Sequence, residues 1–240
     1  MRRFHEEQDF REGEAVELSP QVAHHLGRVL RARPGDRVIL FNGRGGEWEA
    51  RVEEVARGRV AAVPLAFHAV DRMPSLGVTV ALPLLKGERM DYALQKATEL
   101  GAAGFRLVHT ERTDVRLDER RLEKKMAHWR RVIISACEQC GRNRIPVLHD
   151  PALLDDFMNK GSLPAWFACV DGVALHEAMP ACDESEMTIL TGPEGGFSNA
   201  EREQAVTAGF VPVRLGRRTL RAETAPAAML AGLQALRGEE

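Results

Sequence analysis

From residue 76 onward the chain alternates short apolar runs with longer segments whose apolar residues recur every three or four positions. The short runs predict strands and the longer segments predict helices. The predicted strands are Leu76–Leu82, Phe105–Val108, Val147–Leu148, Ala165–Val170, Met187–Leu190 and Val211–Leu215. The predicted helices are Glu88–Leu100, Asp118–Cys140, a segment from Ser198 to about Gly209, and Pro226–Arg237. Strands that alternate with helices are typical of a parallel sheet covered on both faces.

The first 70 residues follow a different pattern. Only Pro20–Arg31 has helical spacing. Three segments rich in β-forming residues follow it, separated by Gly-containing turn signals: Arg37–Phe41, Trp48–Val55 and Arg59–Phe67. This pattern predicts a small, mainly β barrel or curled sheet. Because Asp71–Ser75 is typical of a linker, the predicted domains are residues 1–71 and 72–240.

Composition narrows the class of protein. The 240 residues are 44% hydrophobic and 28% charged, as in ordinary globular proteins. No apolar run approaches the roughly 18 residues that span a bilayer, and the first ten residues do not resemble a signal peptide. We therefore expect a cytoplasmic protein. The net charge of −2 argues against a globally basic nucleic-acid binder.

Arginines nevertheless form two local clusters. One contains Arg142 and Arg144, and the other consists of Arg214, Arg217, Arg218 and Arg221. The planar guanidinium group suits phosphates and bases, although arginines are often simply solvated. For the second cluster a binding role is favoured, because it lies in a predicted ligand loop.

Two strand–turn–helix units form the centre of the C-terminal pattern. The first is LTGPEGGFS at Leu190–Ser198, and the second is LGRRTLRAETA at Leu215–Ala225. Glycines in the first turn permit positive φ and close approach of a ligand. Ser198 and Glu201 fit a capping box that starts the next helix. Open α/β sheets bind ligands at the carboxyl ends of parallel strands, which is where both loops are expected.

Other chemistry is less well supported by the residues. The GPEGGF turn has no P-loop lysine, and its Glu194 is expected to hold the turn by bonding backbone donors. Cys137 and Cys140 form a CxxC at the end of a predicted helix, which favours structural cysteines over redox or metal chemistry. We expect no metal site. Spacing alone indicates an α/β ligand-binding enzyme with local basic patches.

The paired loops closely resemble the signature of the RsmE family, the small-subunit ribosomal RNA uridine-N3 methyltransferases of the SPOUT class. The resemblance covers essentially the whole chain. His24–Asp36 with Val38–Gly43 resembles the family's PUA-like RNA-binding domain. Further matching blocks are QKATELG at Gln95–Gly101, ERT at Glu111–Thr113, and Glu138-Gln139 followed by Arg142 and Ile145-Pro146. Thr219 and Pro226 depart from the family's usual residues.

This resemblance implies an α/β fold with an N-terminal PUA-like β-barrel and a C-terminal SPOUT domain containing a deep trefoil knot. The knot would gather three loops around S-adenosylmethionine: the turn after Ala165–Val170, then Thr191–Phe197, then Leu215–Thr224. A homodimer formed through the last helix is also implied. The substrate would be a uridine of 16S rRNA, expected on the assembled 30S subunit.

The resemblance also assigns individual residues. Arg221 would neutralise charge on the uracil carbonyls or position a phosphate, and Glu223 would order its loop or act as a base. The implied cofactor-binding residues are Leu190, Thr191, Gly192, Pro193, Glu194, Gly195, Gly196, Leu215, Gly216, Leu220, Thr224 and Ala225. The expected RNA-binding residues are Arg28, Arg31, Arg142, Arg144, Arg217 and Arg218.

Two alternatives remain open at the level of sequence. The chain could be an RNA-binding ribosome-assembly factor that keeps the fold without catalysis. It could also be a knotted methyltransferase that acts on another base, on a ribose or on transfer RNA. Affinity for the cofactor separates the first alternative from an enzyme, and the position of the product separates the second.

Overall fold

A computed structural model describes residues 1–113, 115, 117–160, 164–179 and 185–238, with the backbone alone for Lys160. The chain divides into two compact units. Unit 1 comprises Met1–Arg72 and Cys137–Ile145, and unit 2 comprises Met73–Ala136 and Pro146–Glu240. Unit 1 therefore includes a short segment, Cys137–Ile145, that lies within the predicted C-terminal domain.

Unit 1 is built on a five-stranded sheet with the order β1-β3-β4-β5-β2. Its strands are β1 (Arg2–His5), β2 (Val16–Glu17), β3 (Arg37–Phe41), β4 (Glu47–Ala56) and β5 (Arg59–His68). β1 pairs parallel to β3, whereas the other pairs are antiparallel. The sequence predicted β3, β4 and β5 to within one residue at each end, but β1 and β2 were missed because both are short and largely polar.

The single predicted helix of this unit is shorter than its apolar spacing suggested. α1 (Pro20–His24) passes into one turn of π-helix, His25–Val29. Arg31 then adopts a φ of 52°, a left-handed conformation that does not continue a helix. Val22 and Leu26 on the inner face join the apolar core over the sheet.

Period-two alternation explains how the sheet of unit 1 buries one face. In β4, Ala50 and Val52 are fully buried, whereas Arg51 and Glu53 between and beside them are exposed. Successive side chains of a strand point to opposite faces. The inward residues pack with Leu40 and other apolar side chains into one core.

Hydrogen bonds explain why Cys137–Ile145 belongs to unit 1. Asn143 is buried, and its Nδ2 donates to the carbonyl oxygen of Val70 at 2.8 Å. Its Oδ1 accepts from the guanidinium of Arg3. The carboxylate of Glu138 accepts from the backbone N–H of His5 at 2.9 Å. These long-range polar contacts leave no periodic trace in the sequence, so the segment could not be assigned from pattern alone.

Unit 2 contains a six-stranded sheet, which confirms the predicted α/β class. Its strands pair in parallel in the order β11-β9-β10-β6-β7-β8. The strands are β6 (Gly77–Pro83), β7 (Gly104–His109), β8 (Val147–Leu153), β9 (Ala165–Ala174), β10 (Glu186–Leu190) and β11 (Val211–Arg214). Near-continuous apolar runs in β6 and β10 reflect burial on both faces.

Six helices accompany this sheet in the described ranges: α2 (Glu88–Glu99), α3 (Glu119–Cys140), α4 (Leu154–Lys160), α5 (Leu175–Ala178), α6 (Asn199–Thr207) and α7 (Ala225–Arg237). The four longest were predicted, and the short α4 and α5 were not. α4 packs on the sheet through Leu154 and Met158, beside Phe167 and Phe210. In the part of the chain that the structure describes, no helix has the length and apolar character needed to cross a membrane.

β9 differs from its prediction in a way that shapes the neighbouring loops. It runs to Ala174, so the turn expected after Val170 does not end the strand. Pro212 of β11 pairs with Phe167, but the next residue, Val213, pairs with Val173. Residues 168–172 therefore leave the β9–β11 ladder as an excursion. Such an excursion arises from tertiary pairing, which local β-propensity does not reveal.

Candidate functional site

A cavity of about 580 Å³ lies in unit 2, beside the carboxyl ends of β10 and β11. Three segments supply most of its wall: Ala168–Val170, Gly192–Phe197 without Gly195, and Val213–Ala225 without Arg217 and Thr224. Small-molecule sites typically have volumes of about 300–1,000 Å³. The switch point of a parallel sheet is also where ligands usually bind.

The loop Gly192–Phe197 is anchored at both ends. Before it, the buried Thr191 donates its backbone N–H to the carbonyl oxygen of Ala81 at 2.9 Å. After it, Ser198 caps α6, and the carboxylate of Glu201 accepts a hydrogen bond from the backbone N–H of Ser198. The predicted capping box is thus confirmed. With both ends held, the glycine-rich turn presents its backbone to the cavity.

A second support for this loop comes from the turn after β7. The backbone N–H of Glu111 donates to Oε1 of Glu201 at 2.7 Å. Arg112 donates from Nη1 to the carbonyl oxygen of Gly195 at 2.9 Å. The ERT segment that resembled a family motif therefore buttresses the glycine-rich loop from behind.

Among the described residues, Glu194 bonds a side chain and not the backbone donors predicted for it. Its Oε1 accepts a hydrogen bond from Nη1 of Arg89 at 2.8 Å, and both side chains border the cavity. Arg89 lies in the first turn of α2, far from Glu194 in sequence. Glu194 therefore forms part of the cavity wall through an ion pair between the glycine-rich loop and α2.

The second loop, Leu215–Ala225, presents both charged and apolar side chains to the cavity. Its turn is closed by the carbonyl oxygen of Arg221, which accepts from the backbone N–H groups of Thr224 and Ala225. α7 begins there, with Pro226 in its first turn as predicted. Apolar side chains line this wall, namely Val213, Leu215, Leu220, Ala222 and Met229. Such a wall suits a flat, largely apolar ring.

Arg221 and Glu223 form a loose pair at the cavity. Nη1 of Arg221 lies 3.9 Å from Oε1 of Glu223, and the Arg221 side chain is 78% exposed. The Glu223 side chain is 12% exposed, and its Oε2 has no hydrogen-bond partner within the described residues. A buried carboxylate oxygen without a partner is costly in the absence of a donor. Glu223 can thus accept from a group bound in the cavity.

Comparison with known proteins shows which family has this architecture. Residues 72–234 match a family model described as an RNA methyltransferase domain. Residues 11–65 match one described as an RNA methyltransferase PUA domain. A Synechocystis protein named ribosomal RNA small subunit methyltransferase E is 34% identical, covering 92% of this chain and 73% of the relative. The chain belongs to the ribosomal RNA small subunit methyltransferase E family.

Solved structures agree with this membership in the RsmE family. A putative methyltransferase from Legionella pneumophila, in complex with the cofactor SAM, superposes with a TM-score of 0.93 at 36% identity, over 97% of this chain and 96% of that chain. The RsmE protein of Neisseria gonorrhoeae, bound to S-adenosyl methionine, superposes with a TM-score of 0.89 at 33% identity, over 98% of both chains. The PUA and methyltransferase parts of the fold are therefore shared with these proteins.

Most residues that the RsmE resemblance assigned to the cofactor border the cavity. They are Gly192, Pro193, Glu194, Gly196, Leu215, Gly216, Leu220 and Ala225. Leu190 and Thr191 are buried beneath the loop, and Gly195 and Thr224 lie next to lining residues. The cavity thus brings together two segments that are separate in sequence.

Several lining residues were missed by sequence reasoning. Arg202 in α6 borders the cavity and donates to Asp171 at 3.0 Å, with Cys169 alongside. The hydrogen bonds to Asp171 and Cys169 raise the pKa of Arg202 further above its usual value. Arg89 was missed as well. Neither arginine stands in a motif. In the sequence, each looks like an ordinary arginine on the solvated side of a helix.

The arginines expected to bind RNA fall into different environments. Arg217 and Arg218 are exposed, and Arg218 borders the cavity. Arg28 and Arg31 are exposed in unit 1. Arg144 is exposed but donates to Asp71 at 2.7 Å and to the carbonyl oxygen of Arg44 at 3.0 Å.

Arg142 contradicts its prediction as an RNA-binding residue. Only 3% of it is exposed, so its guanidinium is withdrawn from the surface. Burial lowers its pKa from the usual arginine value, with smaller opposing effects of nearby groups. Arg142 therefore belongs to the interior of unit 1.

One cysteine of the CxxC pair is withdrawn from solvent. Cys137 is buried, and burial raises the pKa of its thiol to about 12. Only the thiolate is a strong nucleophile or metal ligand. Within the ranges that the structure describes, no group of three or more His, Cys, Asp or Glu side chains could hold a metal ion. Cys182 lies outside the described residues.

Proposed function

We propose that this chain transfers the methyl group of S-adenosylmethionine to N3 of a uridine in 16S rRNA, expected on the assembled 30S subunit. The observation that carries the proposal is the cavity formed by the β9 excursion and the two loops after β10 and β11. Membership in the RsmE family and the SAM-bound relatives support the same reaction.

The residues of the cavity fit this cofactor. Gly196 and Gly216 have positive φ, and a Cβ at either position would project into open space. These glycines leave room for a ligand against the backbone. Leu215, Leu220 and Met229 offer an apolar surface for an adenine ring. The unpartnered Oε2 of Glu223 can accept a hydrogen bond from an amine or a hydroxyl.

When bound, S-adenosylmethionine supplies an electrophilic sulfonium methyl group. The chain must then position uracil N3, which carries a proton that is lost as the bond to carbon forms. Because N3 lies on the Watson–Crick edge, the uridine has to be unpaired or turned out of its helix. Arg221 borders the cavity with a long, exposed side chain. Its guanidinium can neutralise charge that develops on the uracil carbonyls.

Glu223 has a separate role in this proposal. Its carboxylate lies 3.9 Å from Arg221, which orients both side chains within the loop. It is also a candidate for the base that takes the N3 proton. Arg217 and Arg218 extend from the same loop to contact phosphates.

The proposal includes a trefoil knot in unit 2. β11 lies at the edge of the sheet, whereas the next helix, α7, packs against α2 and β6 near its middle. Gln234 of α7 donates to the carbonyl oxygen of Leu100, just after α2. The connecting loop must therefore cross the ends of β9 and β10. The threaded topology that the resemblance implies requires such a crossing.

A PUA-like barrel for unit 1, a homodimer and a cytoplasmic location complete the proposal. The five-stranded sheet and the matched PUA model support the barrel. The homodimer is proposed from the family resemblance, in which the last helix forms the interface. An enzyme that acts on 16S rRNA works where ribosomal subunits are assembled.

Methyl transfer from labelled S-adenosylmethionine tests the reaction. Assembled small subunits, naked 16S rRNA and transfer RNA, each lacking the modification, serve as substrates. Reverse-transcription arrest maps the product, because an N3-methyl group blocks pairing. We expect one arrest in 16S rRNA, strongest on assembled subunits. Arrest in transfer RNA alone would assign another substrate, and cofactor binding without any transfer would point to a different RNA. A lack of both cofactor binding and transfer would favour a non-catalytic assembly factor.

A further inference from the structure

The outward side of α3 concentrates positive charge. Residues Glu119–Arg131 contain six Lys or Arg side chains and two Glu, although the whole chain has a net charge of −2. These residues all belong to unit 2. The excess is therefore local to one half of one helix, and it was not among the basic clusters noted in the sequence.

Helical geometry gathers part of this charge into one line. Arg120, Lys124, His128 and Arg131 follow one another at spacings of four, four and three residues. At 3.6 residues per turn, their Cα positions fall within about 80° of the helix circumference. We call these four residues the α3 stripe. The buried face of α3 lies opposite, with Met126, Trp129 and Ile133.

The charge pattern of the α3 stripe differs from that of a merely solvated helix. Surface helices usually place opposite charges four residues apart, because like charges at that spacing repel. Here Lys124 is preceded at that spacing by Arg120, which carries the same charge. None of the ion pairs found among the described residues involves Arg120, Lys124 or Arg131. Departure from local charge balance is expected where a surface has a function.

The α3 stripe adjoins the helix that borders the cavity. Nε2 of His128 lies 2.6 Å from Oδ2 of Asp91 in α2. Arg89, two residues earlier in α2, lines the cavity and pairs with Glu194. Because Arg89 and Asp91 are two residues apart, they lie about 200° apart around α2, and the stripe and the cavity therefore flank this end of the helix.

We propose that the α3 stripe binds phosphates of the RNA strand whose base enters the cavity. Arg120 and Arg131 are separated by about 16 Å along the helix, which is enough to contact more than one phosphate of a strand. Lys and Arg contacts to phosphate supply sequence-independent affinity and position the substrate. The inference rests on the proposed function, since it names a further surface for the same RNA.

Two exposed, adjacent arginines of α3 provide a matched test. Arg131 belongs to the stripe, whereas Arg130 is rotated by about 100° from it. We compare Arg131→Gln, Arg130→Gln and the triple variant Arg120→Gln/Lys124→Gln/Arg131→Gln with the wild type. Each is titrated with unmodified small subunits and naked 16S rRNA at several salt concentrations. Cofactor affinity and kcat at saturating RNA are measured in parallel.

We expect Arg131→Gln to weaken RNA binding several-fold and Arg130→Gln to leave it unchanged. Each phosphate contact contributes about 0.7–0.9 to the slope of log K against log salt. The triple variant should therefore reduce that slope by about two to three, with cofactor affinity and kcat preserved.

Equal RNA affinity and salt slope in the triple variant and the wild type would overturn the inference while leaving the proposed function intact. An equal loss in Arg130→Gln and Arg131→Gln would also overturn it, because the stripe would not be distinguished from general charge. A wild-type protein that binds neither RNA would reject the proposed function together with this surface.

Discussion

Glu201 accepts a hydrogen bond from the backbone N–H of Glu111, with 2.7 Å between Oε1 and the nitrogen. The other carboxylate oxygen accepts from the backbone N–H of Ser198 at 2.8 Å. One buried side chain therefore ties the end of the glycine-rich loop to the turn after β7. The α6 cap and the rear support of the cavity wall depend on the same group.

Replacing Glu201 with Ala should loosen this wall. Two hydrogen bonds to a charged acceptor would be lost, each with a net value of about 1.5–3 kcal/mol. We expect lower stability and an at least tenfold weaker affinity for S-adenosylmethionine, measured by chemical unfolding and calorimetric titration. Glu201→Gln, which retains one acceptor oxygen, should lose less.

Glu203→Ala is the control for that change. Glu203 is exposed on the same helix and carries the same charge. It should leave cofactor affinity unchanged. If Glu201→Ala were as tight a binder as Glu203→Ala, the glycine-rich loop would not depend on the Glu201 contacts.

Gly172 is expected to tolerate no side chain. A Cβ there would lie 2.4 Å from the carbonyl carbon and oxygen of Pro212, in backbone that cannot rotate away. Gly172→Ala should therefore displace β11 from β9, at a cost of about 1–3 kcal/mol. Because β11 leads into the second cavity loop, cofactor affinity should fall as well.

Gly77→Ala is the matched comparison for Gly172. Gly77 also lies in a strand of unit 2, but a Cβ there would have ordinary contacts of 3.5 Å. Thermal unfolding should separate the two variants by several degrees. Equal melting temperatures would mean that the β9 excursion accommodates the added methyl group.

Arg221→Ala should reduce methyl transfer by about 100-fold or more, as removal of a group that stabilises developing charge typically does. Cofactor affinity should change little, because the Arg221 side chain is largely exposed at the cavity mouth. Single-turnover transfer and cofactor titration distinguish the two quantities. Loss of cofactor binding would instead make Arg221 part of the pocket wall.

Arg106→Ala serves as the control for Arg221. Arg106 is exposed on β7 and does not border the cavity. The variant should transfer methyl groups at the wild-type rate. A comparable loss in both variants would attribute the effect to net charge and not to position.

The lowered pKa of Glu47 predicts that unit 1 loses stability in acid. Burial opposes its ionisation, but hydrogen bonds from Arg72 and Arg3 outweigh burial and lower its pKa from 4.5 to about 2. Since the folded pKa is below the unfolded one, the stabilisation is present above pH 4.5 and is lost as the pH falls toward 2. Glu47→Gln should remove this part of the pH dependence.

The free energy of unfolding is measured by chemical denaturation of the full-length protein between neutral pH and pH 2.5, with spectroscopic signals that report on unit 1. Glu53→Gln, an exposed change on the same strand, should retain the wild-type pH profile. A Glu47→Gln variant with the full wild-type pH dependence would show that other carboxylates dominate acid unfolding.

The sequence by itself determined the elements whose cause is local. Apolar runs located the central strands β6 and β10, because a strand buried on both faces must be apolar along its length, whereas only the first two residues of the largely unburied β8 were predicted. Ser198 and Glu201 predicted the start of α6, since a capping box is formed by residues three apart. The two loop motifs predicted most of the cavity lining through family resemblance.

Tertiary structure decided the features that depend on residues distant in sequence. Arg89 meets Glu194, Asn143 meets Val70, and residues 168–172 leave their ladder because β9 and β11 pair on either side of them. Arg142 appeared equivalent to Arg144, yet one is buried and the other exposed. Periodicity records which face of an element is buried, but it does not record which distant partner covers that face.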